Sequence, residues 1–279
     1  MSHYPSYLSQ VTQKCVSQAE NALRAAVSEK YHSLNEEMIT HLFWCELVHE
    51  AKKFNKAGLW SSALAQDLHS VFYQVQSHEF ERDYHGLFCE VQLHNHAKEA
   101  KSGGDFGLFA SLPQLHHGYY GSGQTCTIKF VDRALLVQAK LRSKGRRRPT
   151  FKDKQAENLS SNAGFSALLL YSYEDKEQKD LSPFIWQSCA GTDTALMNEW
   201  LRDMHFPSPA NSTEVIDGLY REKLGTANQN LINTVIRSSS RPRIELRLQW
   251  PDHSTPEYVV ELSDYLEEKE KQRIMVYEG

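Results

Sequence analysis

The run Phe165-Ser166-Ala167-Leu168-Leu169-Leu170-Tyr171 constrains the fold of this chain more than any other stretch. A strand with one solvated face alternates apolar and polar residues, whereas a run as continuously apolar as this one belongs in a sheet covered on both faces. It predicts a mixed α/β core. Its apolar part, Ala167 to Tyr171, is also the longest candidate for a membrane span. It falls far short of the ~20 residues that a bilayer requires.

Around this strand the hydrophobic period changes along the chain. Val11, Cys15, Ala19, Leu23 and Ala26 recur at helical spacing and predict a helix over residues 10–30. After His32-Ser33-Leu34-Asn35 a second helix is expected. Ser33 stands three residues before Glu36, as in a capping box, and Met38, Ile39, Leu42, Phe43 and Leu47 form the apolar stripe. Residues 63–73 predict a third helix. From Gly86 the period becomes two, giving strands over 87–93 and, after the Gly103-Gly104 turn, over 105–109, then over 125–130 and 134–141. A helix over 151–160 leads into the apolar strand. Beyond Asp175 the pattern predicts a polar linker, helices over 194–203 and 214–224 and on towards Ile236, strands over 243–250 and 257–262, and a charged helix over 264–273. This order divides the chain into an N-terminal helix (1–32), a core (33–175) and a C-terminal α+β extension (176–279).

The 31 Lys and Arg residues against 35 Asp and Glu leave a net charge of −4, which excludes a generally basic nucleic-acid coat. Phosphate binding has to come from local clusters. With 40% hydrophobic residues the composition is that of a globular protein, not a disordered or fibrous one. Cys15, Cys45, Cys89, Cys126 and Cys189 are scattered and form no C-x-x-C pair, as expected of reduced thiols. The first residues show no basic stretch followed by an apolar one, so a cytoplasmic protein with no membrane association is expected.

Chemistry concentrates in Gly103-Gly104-Asp105 and Leu135-Leu136-Val137-Gln138-Ala139-Lys140. Strand alternation sends Gln138 and Lys140 to one face and Val137 and Ala139 to the other. If the strand beginning at Asp105 lies alongside, its carboxylate sits near both. A carboxylate and an amide oxygen can hold a hard cation such as Mg²⁺ or Mn²⁺, and an ammonium can face a scissile phosphate or its attacking water.

In these residues the chain resembles the PD-(D/E)xK nuclease superfamily, with Gly104-Asp105 at the first motif and Gln138-Ala139-Lys140 at the second, as in an Mrr-like branch with Gln-x-Lys. The resemblance spans Ser33 to Tyr173. It implies a restriction-endonuclease-like fold, a mixed central sheet flanked by helices, and a metal-dependent endonuclease with Asp105 and Gln138 as ligands. Gln155, in Lys152-Asp153-Lys154-Gln155, matches a glutamine that some branches place beside the active site. An acid on the preceding helix is also implied, and Glu36 and Glu37 are the candidates. Helical geometry favours Glu36 or Glu46, because Glu37 points almost opposite to the apolar stripe. Glu90 on the first strand is a fourth candidate.

Gln138 stands where the superfamily usually carries an acid, which removes one negative charge from the site. Arg142, Lys144, Arg146, Arg147 and Arg148 follow directly and suit phosphate contacts. The resemblance implies a nucleic-acid partner, DNA favoured over RNA, and a role in defence against foreign DNA, and is compatible with a homodimer or a defence-complex partner. The alternative is a nuclease-like nucleic-acid-binding or partner-binding module without catalysis, which a neutral Gln138 would suit. A zinc site around Cys89, His94, His96, His116 and His117 lacks a completing tetrahedral set. Tyr119 to Gly123 is expected to be a turn.

Overall fold

The apolar run is β5 of an α/β structure with a mixed open sheet flanked by helices, as described by a computed structural model. It describes residues 2–3, 6–31, 34–60, 62–63, 66–67, 88–94, 96–120, 123–143, 149–151, 153–203, 205–236 and 245–248. The elements are β1 (Ser2–His3), α1 (Ser6–Glu29), α2 (Glu36–Lys56), β2 (Phe88–Leu93), α3 (His96–Ser102), β3 (Phe106–Tyr120), β4 (Gly123–Ser143), α4 (Asp153–Ser161), β5 (Ser166–Tyr173), β6 (Ile185–Ser188), α5 (Thr194–Asp203), α6 (Ser212–Tyr220) and β7 (Glu245–Leu248). A helical turn at Gln229–Leu231 continues as a π-helix, Ile232–Ile236. No helix among the described residues is long and apolar enough to cross a membrane.

The sheet order is β6-β5-β4-β3-β2-β7, with β1 added to β3. β4 and β5 run parallel, and α4 is the crossover that a parallel pair requires. The other neighbours are antiparallel. Alternation along β4 divides the interior. Leu135, Val137 and Ala139 enter a core with α1, α2 and α6, while Ala134 and Leu136 face a second core formed with α4, α5, Ile232 and Ile236. β5 serves both, with Ala167, Leu169 and Tyr171 on the first side and Leu168 on the second, which explains why its sequence lacks a polar face.

Several boundaries differ from the sequence expectation. The N-cap of α2 is Asn35, whose extended backbone lets its side chain accept the Met38 N–H at 2.8 Å; Ser33 lies outside the described residues. The strands expected over 125–130 and 134–141 are one strand, because pairing with β3 runs unbroken from Phe106 opposite Val137 to Tyr120 opposite Gly123. Helix α3 was not expected, since His96-Ala97-Lys98-Glu99-Ala100-Lys101-Ser102 has good helix formers but no apolar stripe. The helix expected over 214–224 stops at Tyr220, where Lys223 and Leu224 both turn back to the Gly218 carbonyl. Within 63–73, Ala63, Gln66 and Asp67 are helical and the rest lies outside the described residues, as do 257–262 and 264–273.

Candidate active site

β4 outruns β3. Their pairing reaches Phe106 opposite Val137, while β4 continues to Ser143. On that edge the backbone N–H groups of Ala139 and Leu141 face no strand, so side chains have to satisfy them. Asp105 holds its own N–H on the Val137 carbonyl at 2.8 Å and turns its carboxylate forward, so that Oδ2 accepts the Ala139 N–H at 2.7 Å. Glu36, in the first turn of α2, accepts the Leu141 N–H. The two carboxylates thereby extend the ladder where the strand stops.

Two glycines bring Asp105 to this position. Gly103 has φ +81° and closes α3 with a 2.8 Å bond from its N–H to the Glu99 carbonyl, the left-handed cap that favours glycine. A Cβ there would lie 2.4 Å from Leu159 N and 2.7 Å from Gln155 O, so α4 can approach only a glycine. At Gly104 a Cβ would meet Leu136 Cδ1 at 2.4 Å. His94 braces the turn from the other side, with Nδ1 2.8 Å from Gly104 O and Nε2 2.7 Å from Ile236 O. Glu36 is fixed through Thr40, one turn along α2, whose Oγ1 lies 2.8 Å from the buried Tyr171 hydroxyl of β5.

Gln138 and Lys140 project from the face of β4 that meets α4. Gln138 Nε2 donates to Asp105 Oδ2 and, at 3.0 Å, to Ala139 O. Gln138 Oε1 accepts from Gln155 Nε2 at 2.7 Å, and the same nitrogen donates to Glu99 Oε1 at 2.9 Å. The result is a chain of two amides joining two carboxylates. Lys140 Nζ lies 5.5 Å from the centre of the Phe151 ring, a cation–π distance, and forms no ion pair with any carboxylate among the described residues.

This polar group carries more negative than positive charge. Burial pushes the Glu36 carboxyl up to about 8; Lys140 pulls it down, and Asp105 and Glu99 push it further up. Burial likewise raises Asp105 to about 6, opposed first by Lys140 and reinforced by Glu99. Both carboxyls take up protons more readily than a solvated acid chiefly because burial disfavours their charged forms, and neighbouring acids add to this while Lys140 opposes it.

The geometry therefore brings together Asp105, Gln138, Lys140, Glu36 and Gln155. Glu37 is exposed on α2, Glu46 lies further along that helix beside Cys45, and Glu90 is on β2 in register with Phe109. Arg142 is exposed at the end of β4; Lys144, Arg146, Arg147 and Arg148 lie outside the described residues. Both ring nitrogens of His94 are engaged by backbone carbonyls. Among the described residues no group of three His, Cys, Asp or Glu side chains forms a metal cluster. Sequence reasoning missed Glu99 and the Ala139 carbonyl. The only signal for Glu99 is that it is the last acid before the Gly103-Gly104 turn.

No protein-family model matches the chain, and no curated protein is similar to it. The donor set itself can be tested against a cation. Asp105 Oδ2 and Ala139 O converge on one atom, Gln138 Nε2, so an amide nitrogen stands where a cation would collect the same two oxygens. Turning the Gln138 amide over would offer Oε1 at that point. Carboxylate, carbonyl and amide oxygens are hard donors that suit Mg²⁺ or Mn²⁺ rather than zinc. The residues fit.

Proposed function

We propose that the chain is a divalent-metal-dependent nuclease of the restriction-endonuclease-like fold, hydrolysing phosphodiester bonds, with DNA favoured over RNA. The observation that carries this reading is the convergence of Asp105, Gln138 and Lys140 at the edge where β4 outruns β3, with Glu36 closing the site from α2. Asp105, the Ala139 carbonyl and Gln138 would hold the cation, which supplies charge neutralisation and polarisation of water when bound. Lys140 carries its charge on the face shared with Gln138, within reach of a non-bridging phosphate oxygen. Its ammonium stabilises the charge that develops as water oxygen bonds to phosphorus and the bond to the leaving sugar oxygen breaks. Phe151 holds that ammonium on the site side of β4. Arg142 and the basic residues after it suit the flanking phosphates, and defence against foreign DNA is the role that fits such an activity.

One observation favours a second reading, a nucleic-acid-binding or partner-binding module without catalysis. The Gln138 amide already satisfies Asp105 with a nitrogen, as a site that never takes a cation would. Cleavage of supercoiled and linear DNA and of RNA, with and without Mg²⁺ or Mn²⁺, separates the two. Asp105→Ala and Lys140→Ala should each lower metal-dependent cleavage by about 100-fold or more, the usual cost of removing one charge-stabilising group. Cleavage that survives both substitutions, or that wild type lacks with every substrate and metal, would remove the nuclease reading.

A further inference from the structure

Glu99 touches neither Asp105 nor Gln138 through any hydrogen bond described above, yet it anchors the far end of the amide chain, as Asp105 Oδ2 and the Ala139 carbonyl anchor the near end. An ionised carboxylate only accepts hydrogen bonds, so Glu99 obliges Gln155 to present its NH2 group, at 2.9 Å. Gln155 gives its other N–H to Gln138, at 2.7 Å, and so draws Gln138 Oε1 towards α4. The Gln138 nitrogen is left facing Asp105 Oδ2 and Ala139 O. Each amide has one oxygen end and one nitrogen end, and the acceptors at the two ends, Glu99 on one side and Asp105 with the Ala139 carbonyl on the other, agree on one polarity for the chain.

We propose that Glu99 is a positioning residue that, through Gln155, latches the Gln138 amide with its nitrogen in the cation's place. The inference rests on the cation reading above and adds a regulation to it. For Gln138 to offer an oxygen to Mg²⁺, its amide must turn, and Gln155 must then present its own oxygen to the Gln138 nitrogen. That reversal takes the Gln155 NH2 group away from Glu99. Cation binding therefore costs one hydrogen bond to a charged acceptor, and the site prefers its cation-free arrangement until the cation concentration overcomes that preference. α3, which carries Glu99, also donates from Lys98 Nζ to the Thr234 carbonyl of the π-helix at 3.0 Å, so the latch is tied to the core on the α4 side of the sheet.

The test is a Mn²⁺ titration of the full chain, followed by electron paramagnetic resonance of the unbound ion, in wild type and Gln155→Met. Gln155→Met breaks the relay while retaining the Glu99 charge that attracts the cation. Affinity for Mn²⁺ should rise about tenfold, the size of one hydrogen bond to a charged group. A merely structural role for Gln155 would lower affinity, and unchanged or weaker binding overturns the latch while leaving the cation reading intact. Absence of Mn²⁺ binding in both proteins overturns the cation reading and the latch together. The second measurement needs no metal and uses Glu99→Gln, a variant of the same shape. The Gln138 side-chain NH2 resonances should move in this variant although Glu99 contacts Gln155 and not Gln138. Unmoved resonances overturn the relay.

Discussion

Two carboxylate sites in this molecule are built on opposite terms. Glu20 of α1 has a donor from the fold for each oxygen: the Phe184 N–H at 2.8 Å on Oε1, and the Ser212 hydroxyl at 2.6 Å on Oε2. Ser212 in turn accepts the Trp186 indole N–H at 3.0 Å, so the network ties α1 to β6 and the start of α6. Glu36 and Asp105 instead face each other, Glu99 and one lysine, and both are pushed above the usual carboxylate range. A carboxylate that serves packing is surrounded by fixed N–H and O–H donors. Glu36 and Asp105 instead share a single lysine, and the fold holds them there through strand N–H groups that β3 leaves without a partner and through two obligatory glycines.

The largest effect that tests this contrast is on stability at the Glu20 site. Glu20→Ala removes both acceptors and leaves the Phe184 N–H and the Ser212 hydroxyl buried without them. Urea denaturation should show a loss of about 2–5 kcal/mol. A loss below about 1 kcal/mol would mean that water replaces the carboxylate, and the contrast between the two sites would fail.

The next effect has the opposite sign. The Glu36 carboxyl, ordinarily titrating near 4.5, holds its proton up to about 8 in the folded protein. Between those values the folded state binds more protons than the unfolded chain, so stability falls as pH rises through this window. Glu36→Gln keeps an acceptor for the Leu141 N–H and removes the charge. At pH 8 and above, without divalent metal, it should stabilise the protein by about 1–3 kcal/mol, less than full linkage because the carboxyl is partly open to water. Below pH 4.5 the gain should vanish. A variant less stable than wild type at pH 8 would place Glu36 in the same class as Glu20.

These contrasts also explain how much was legible in the sequence. The shared face of Gln138 and Lys140 follows from the strand period alone, and Asp105 was marked by the turn glycines before it. β5 declared its burial by composition. The choice among Glu36, Glu37, Glu46 and Glu90 was not legible, because it depends on which carboxylate meets the unpaired Leu141 N–H, a consequence of where β3 stops relative to β4. Glu99 was hidden for a different reason. Its helix has no apolar stripe to announce it, and its hydrogen bond to the site's amides runs through Gln155, which comes to it across a tertiary contact at Gly103. Local pattern reports what a residue's own element dictates. It does not report partners supplied by another element.

The smallest effect joins proton and cation in one measurement. Glu36 and Asp105 take up protons near 8 and 6, and a proton on either repels or displaces a divalent cation that their ionised forms attract. Apparent Mg²⁺ affinity should therefore rise about tenfold per pH unit wherever one proton leaves on binding, with most of the rise between pH 6 and 8. In thermal melts this appears as a Tm increase on adding Mg²⁺ that is larger at pH 8 than at pH 6. At a concentration 100 times the dissociation constant, ligand binding stabilises by about 2.7 kcal/mol, and each kcal/mol moves Tm by about 2–4 °C for a protein of this size. Glu36→Gln should flatten the upper part of the profile and Asp105→Asn should lower the Mg²⁺ response at every pH, because in the proposed site Asp105 would supply the carboxylate oxygens themselves. A response equal at pH 6 and pH 8 in wild type would mean that the cation binds away from these carboxylates, and the Glu20 and Glu36 sites would then differ in hydrogen bonding but not in purpose.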